Sequence, residues 1–502
     1  MAVPPDDSPR KEPDRLPDRL DAAAPPVILW FRRDLRLADN PALNAAAETG
    51  RPVVPVFILD AAGDGRPWGA ASLWWLDGSL RALADSLKAR GAPLILRRGH
   101  AESELRRLID ETGADTVFMN RLFEPEAWTR DADIAHGLKD DGVECRGFNG
   151  SLMAKPGSIL TGSGGPYKVF TPFKNALLAK AEAPPHTTGP RELTPVKGLD
   201  SDAIDDWDLT PSKPDWSTGF DWTPGEAAAV EALHAFTNAA LKTYSVGRDH
   251  PAEVGGSRLS PHLHWGEVHP WRVIEAVRKA AADGRAPAAE AEKFTAEIAW
   301  REFSAHLLHA FPQITERSFR PEYDAFPWRT DTKGFHAWTK GRTGYPVVDA
   351  GLRQLWSTGW MHNRVRMIVA SFLVKDLLVD WRKGEAWFWD TLVDADLANN
   401  VQNWQWVAGS GADASPFFRI FNPTSQGQRF DADGDYVRRW VPELAALPAK
   451  WIHAPWTAPE DVLAKAKVRL GTDYPKPILD HGEARDRALE ALKAIARSKY
   501  ED

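Results

Sequence analysis

A doubly wound α/β domain followed by a larger all-α domain, with a long connector between them, is the fold class this sequence predicts. Three observations predict it. Short apolar runs alternate with helical stripes from Val27 to about residue 150, a Gly-, Pro-, Ser- and Asp-rich stretch follows, and beyond Pro224 the texture is helical. At 502 residues, 43% hydrophobic and 26% charged, the chain can bury more than one core.

Residues 1–26 are rich in Pro, Asp and Arg and lack an apolar signal region, so they read as a disordered tail and not a secretory leader. Over 27–150, the runs Val27–Phe31, Val53–Leu59, Leu94–Leu96, Thr116–Met119 and Val143–Phe148 read as buried strands. Between them, Ala70 to Arg90 places Leu73, Leu76, Leu80, Leu83 and Leu87 at three- and four-residue steps, a helix. The first strand runs into FRRDLRLADNPAL and not into a Gly-x-Gly-x-x-Gly turn, which argues against a nicotinamide enzyme. Residues 151–223, with GSGGP, APPH and TPSKPDW, read as a connector crossing a surface. Residues 224–502 form the helical domain. Its most apolar part, Asp349 to Asp380, reads as a helix interrupted at Gly359 and buried nearly all round.

A net charge of −8 argues against a protein coated with basic surface but leaves room for a local basic groove. The single Cys145 excludes an intramolecular disulfide or a cysteine metal cluster and fits a reducing, cytoplasmic setting. The apolar run Met367 to Val374 is far below the ~18–20 residues of a membrane span. Tryptophan is the anomaly, with 23 Trp against 7 Tyr.

The stretch Asp394 to Pro423 mixes acids, four Asn, a Trp-Gln-Trp unit and a Gly/Ser/Ala turn with no regular period, which describes a pocket wall. Tyr244 to Arg248 and Gly255 to Pro261 put small and hydroxylic residues before a helix, suited to a phosphate but common as a plain cap. Glu297 and Arg301 are four apart, the spacing of a solvated pair, while Glu297 and Trp300 share a face. Arg364 and Arg366 at the mouth of an apolar helix call for anions, with Asp394 and Asp396 as candidates. Neither a Walker loop nor zinc-ligand spacing is present.

These segments, with WFRRDLRLADNPAL, WREF, TGYPVVDAGLRQL, TGWMHNRVRM and SFLVKDLL, resemble the photolyase/cryptochrome family from Val27 to about Trp456. Among its members, bacterial cyclobutane pyrimidine dimer photolyases of class I type are most similar. The resemblance implies FAD in the helical domain. Tyr244 and the turn Gly256, Ser257, Arg258, Leu259 and Ser260 would take its phosphates, with Phe294 and Arg301 flanking. Arg366, Asp394, Ala395 and Asp396 would address the flavin ring. Asn400 would face the redox-active ring nitrogen, as donor or acceptor. Trp300 and Trp406 would wall a pocket for a flipped-out dimer, with Glu297, Asn363 and Met367 in closer contact. His362 followed by Asn363, in place of a His pair, points to the cyclobutane lesion over the (6-4) lesion. Arg248, Arg364, Arg419 and Gln426 would hold the DNA backbone, and Trp404, Trp381 and Trp328 would carry electrons from the surface.

In the family a folate antenna goes with an Asn-Glu pair and a Lys, where Glu126-Ala127 and Glu316 stand, which counts against folate as a second chromophore and leaves a deazaflavin, a flavin or an empty groove. The implied activity is light-driven dimer repair on DNA by a monomer away from membranes. The alternatives are a cryptochrome-type blue-light photoreceptor without repair activity and, from another class, a light-independent nucleotide- or nucleic-acid-binding protein.

Overall fold

The computed structural model describes residues 24–61, 63, 65–414 and 418–498; residues 1–23 of the expected tail lie outside them. Strands β1 (Val27–Phe31), β2 (Val53–Leu59), β3 (Ile95–Arg98), β4 (Thr116–Asn120) and β5 (Glu144–Phe148) form one parallel sheet in the order β3-β2-β1-β4-β5. The third strand sits one residue later than the apolar run suggested.

Along β1, Val27, Leu29 and Phe31 enter one core while Ile28 and Trp30 enter another. That alternation is the period-two pleat of a strand covered on both faces, which is why the sequence reads as a continuous apolar run. Helices α1 (Pro41–Glu48) and α2 (Ala70–Lys88) cover the first face, and α3 (Ala101–Thr112) and α4 (Pro125–Asp140) the second.

The stretch read as connector carries an unexpected element, α5 (Phe170–Lys180). Phe170, Phe173 and Leu177 bury its inner face in the helical domain's core. Only three of its eleven residues are buried, so the periodic signal is faint amid Gly and Pro.

In the helical domain, α6 (Ala288–Ala310), α7 (Pro346–Thr358), α8 (Asn363–Ser371), α9 (Trp381–Thr391) and α10 (Leu397–Ala408) frame the site. The single interrupted helix expected from Asp349 to Asp380 is two helices. Gly359 closes α7 with a left-handed φ of 66°, and the His362 ring accepts the Arg364 N–H at 3.2 Å to cap α8. After α8 the backbone widens into a π-turn over Phe372–Asp376.

Two buried groups tie the domains together. Arg36, beyond β1, donates to the carbonyls of Ala38, Asp39, Gly150 and, across the interface, Gly266. Glu267 accepts from Trp75 Nε1 (3.1 Å) and Ser79 Oγ (2.6 Å) of α2. Gly69 lets α2 approach α9: a Cβ there would stand 2.1 Å from the Trp389 carbonyl oxygen. Among the described residues, no helix is long and apolar enough to cross a membrane.

Candidate functional site

A cavity of about 590 Å³ opens between α6, α8 and α10, a size suited to one large bound molecule. It collects most of the residues singled out from the sequence. The turn from Gly256 to Ser260 forms one end, α6 supplies Phe294, Glu297, Trp300 and Arg301, and α10 supplies Asn400, Trp404 and Trp406.

The floor is polar. Arg366 Nη2 donates to Asp394 Oδ2 at 2.8 Å and its Nε to the Met361 carbonyl at 2.8 Å, while Asp394 Oδ1 is buried with no protein partner. Leaving such an oxygen dry and unbonded is costly, so it marks a place for a donor on a bound group. Burial alone would raise the Asp396 carboxyl, yet the hydrogen bond from His264 and the charges of His264, Arg301 and Arg33 outweigh it and hold the carboxyl well below the usual range. Asp396 also caps α10, accepting the Asn399 N–H at 2.9 Å. Asn400 turns its amide nitrogen outward, to the Glu385 carbonyl at 3.0 Å and Glu385 Oε1 at 2.7 Å.

Several expected pairings are redrawn. Glu297 binds Arg248 instead of Arg301, whose guanidinium reaches the carbonyls of Ser151 (3.1 Å) and Leu263 (3.2 Å) and the Glu302 carboxylate (3.2 Å). Each of the two i,i+4 side chains is partly buried and finds partners other than its helical neighbour, so the solvated pair does not form. Of the two arginines on α8, only Arg366 meets Asp394; Arg364 pairs with Asp249 at 2.8 Å and lies over Phe430. Burial, reinforced by the cations Arg364, Arg366 and Arg248, pushes His362 down to about 4 against the pull of Asp249, so its ring is neutral.

At the glycine-rich turn, Arg258 adopts a left-handed φ of 55°, stacks on Trp222 at 4.0 Å and donates to the Asp221 carbonyl. Gly256 is uncrowded. The glycine that spacing demands is Gly255, where a Cβ would stand 2.1 Å from the Gly247 carbonyl oxygen.

The indole walls are half-buried. Trp300 lies flat on Phe170 of α5, centroids 3.6 Å apart and planes 6° from parallel, leaving its other face to the cavity. Trp406 Nε1 donates to the Asp413 carbonyl at 3.1 Å, and the Asp413 carboxylate accepts the Phe170 N–H at 3.3 Å. Asp413 thus ties both walls together. Neither Phe170 nor Asp413 was singled out from the sequence, because stacking across 130 residues leaves no local pattern.

Tyr244, Arg248, Asn363, Arg364, Met367 and Ala395 also line the cavity. Arg419 and Gln426 lie outside its lining, the former exposed. Trp381 and Trp328 lie outside it too. Trp404 is buried against Phe388 (5.0 Å) and Trp338 (6.3 Å), whereas Trp381 packs under Arg382 and Trp328 against Phe326. Glu126 and Ala127 sit in the first turn of α4, and the Glu316 carbonyl accepts from Arg382; none lines the cavity. Among the described residues, no cluster of His, Cys, Asp or Glu is placed to hold a metal ion.

The floor suits a flat heterocycle bearing ring N–H groups, and the turn with its serines suits phosphate, so the residues fit FAD. Comparison with known proteins agrees. The sequence matches the DNA photolyase family over residues 27–191 and the FAD binding domain of DNA photolyase over residues 294–494. It is 53% identical to a deoxyribodipyrimidine photo-lyase of Agrobacterium fabrum, over 94% of this chain and 98% of that protein. It is 39% identical to cryptochrome-1 of Arabidopsis thaliana, over 93% of this chain and 70% of that one. A solved bacterial class III photolyase from Agrobacterium tumefaciens superposes with a TM-score of 0.92 at 53% identity, covering 95% of this chain and 100% of that chain. The motifs had suggested class I type, and this similarity is to a class III enzyme.

Proposed function

The chain belongs to the photolyase family, and from that premise we propose that it is a DNA photolyase that splits cyclobutane pyrimidine dimers under blue light with FAD in the cavity. One observation carries this reading: a single cavity joins a polar floor, Arg366–Asp394 and Asn400, to indole walls, Trp300 and Trp406. A site for a cofactor alone has no use for half-open indoles at its mouth.

When bound and reduced, FAD would supply a light-excited electron. The chain's own residues do the rest. Tyr244 and the turn Gly256, Ser257, Arg258, Leu259 and Ser260 would hold the phosphates; Phe294 and Arg301 would flank the cofactor, and Arg366, Asp394, Ala395 and Asp396 would fix the ring.

 Trp300 and Trp406 receive the flipped dimer between stacking faces, each worth about 1–3 kcal/mol per base. Glu297 accepts a hydrogen bond from a base N–H, with Asn363 and Met367 against the lesion. The dimer would lose the two C–C bonds of its cyclobutane ring with no net change of electron count, so the reaction asks no general acid–base pair of the chain. Arg248, Arg364, Arg419 and Gln426 would meet the DNA backbone, and Trp404, Trp381 and Trp328 would pass electrons from the surface toward the cavity. The test is illumination of a dimer-containing oligonucleotide with the photoreduced protein: dimers should be lost, and intact dimers would sink the proposal. Full flavin loading with no repair would favour the second reading, a blue-light photoreceptor, which the 39% identity to a plant cryptochrome supports.

A further inference from the structure

A polar chain behind the cavity floor crosses from one domain to the other. Asn400 is buried, and its Nδ2 donates to both the backbone carbonyl and Oε1 of Glu385. An amide nitrogen has two hydrogens, so both are used. Exchanging the ends of the amide would set Oδ1 against a carbonyl and a carboxylate, two acceptors facing an acceptor. The neighbours therefore fix its orientation, and the only polar atom Asn400 can turn to the cavity is an acceptor oxygen.

Glu385 is itself held from the other domain. Both its oxygens accept from Arg66 Nη1, at 2.8 and 3.0 Å, and its side chain is only 8% exposed. Arg66 precedes α2, and its guanidinium lies 4.5 Å from the ring centroid of Trp389, one helical turn beyond Glu385 on α9. Trp389 Nε1 in turn donates to the Pro67 carbonyl at 2.8 Å. Arg66 is thus stacked on one residue of α9 and ion-paired with another.

We infer that Arg66 and Glu385 are positioning residues that lock Asn400 as a hydrogen-bond acceptor, so that a contact made by the α/β domain sets which protonation state of a bound flavin the floor favours. This rests on the reading of the cavity as a flavin site. A free amide serves a protonated or a deprotonated ring nitrogen equally, since it can rotate to donate or accept. With the donor end committed to Glu385, the site favours a nitrogen that carries hydrogen.

Glu385→Gln tests the lock with little change of shape. Arg66 claims the remaining oxygen, which leaves the new N–H₂ group facing Asn400 and removes one of the two acceptors that fixed the amide, while the backbone carbonyl stays. The readout is the visible spectrum of the bound flavin carrying one electron, titrated with pH after illumination. In Glu385→Gln the ring proton should be lost about one pH unit lower than in the unaltered protein, the size of one hydrogen bond. Arg66→Ala should shift it in the same direction by less, and Arg66→Lys should restore the unaltered curve. An unshifted Glu385→Gln overturns the lock. A shift in Glu385→Gln with none in Arg66→Ala overturns the part played by the α/β domain. Unaltered protein that takes up no flavin overturns the flavin reading itself, and the relay with it.

Discussion

The floor of the cavity and its indole walls are built in opposite ways. The charged groups of the floor are buried or half-buried, and each has an ionic partner from the protein: Arg366 has Asp394, Asp396 has His264 and Glu385 has Arg66. Trp300 and Trp406 are half-exposed and held from behind, one by a stacked phenyl ring and the other by a single hydrogen bond. The difference follows from what each must bind. A buried charge is tolerable only if its partners are always present, which suits a resident cofactor. A stacking face gains its energy each time a ring arrives and loses little when the ring leaves, which suits a substrate that comes and goes. Mutations in the floor should therefore damage the folded, loaded protein, and mutations in the walls should spare it and weaken DNA.

The largest effect should come from the floor. Asp394→Ala strands the Arg366 guanidinium in a largely buried site, and breaking such a pair costs about 3–5 kcal/mol. Flavin content after purification and the midpoint of thermal unfolding should both fall; a variant as stable and as yellow as the unaltered protein would erase the contrast. Next is Trp406→Ala, which should weaken binding of dimer-containing DNA by about 1–3 kcal/mol while leaving flavin content intact. Titration of a labelled oligonucleotide measures it, and parallel loss of flavin would show that wall and floor are not separate.

The same contrast marks what the sequence could reveal. The five strands, the cores they feed and the residues around the cavity were legible because apolar period, polar groups in aromatic surroundings and the family motifs are written locally or in long matching segments. Arg364 and Arg366 announced a need for anions, but only one found its partner at Asp394, since the fold and not the spacing brings Asp249 to the other. Glu297 and Arg301 sit at the spacing of an ion pair and do not form one, because each has a closer partner from another element. Phe170 and Asp413 were invisible: a Phe in a Gly- and Pro-rich stretch and an Asp in a turn carry no pattern that names a site, and their roles exist only where α5 meets α6 and the loop after α10. Arg66 and Glu385, 319 residues apart, are the same case on the floor side.

Smaller effects sharpen the description of the walls. Phe170→Leu keeps the site apolar but removes the ring under Trp300, so dimer affinity should fall by roughly 0.5–1.5 kcal/mol, the worth of an aromatic pair beyond its buried area. An unchanged affinity would mean that Trp300 needs no backing to stack. Arg364→Gln should be the mildest at low salt and the most diagnostic across salt. Arg364 stands at the cavity mouth between Asp249 and Phe430, and if it neutralises one phosphate, its loss lowers the slope of log affinity against log salt by about one. The dimer-specific part of binding, measured as the ratio of damaged to undamaged DNA, should stay constant, because a phosphate contact carries no information about the base. A change in that ratio would place Arg364 with the lesion-reading walls and not with the backbone.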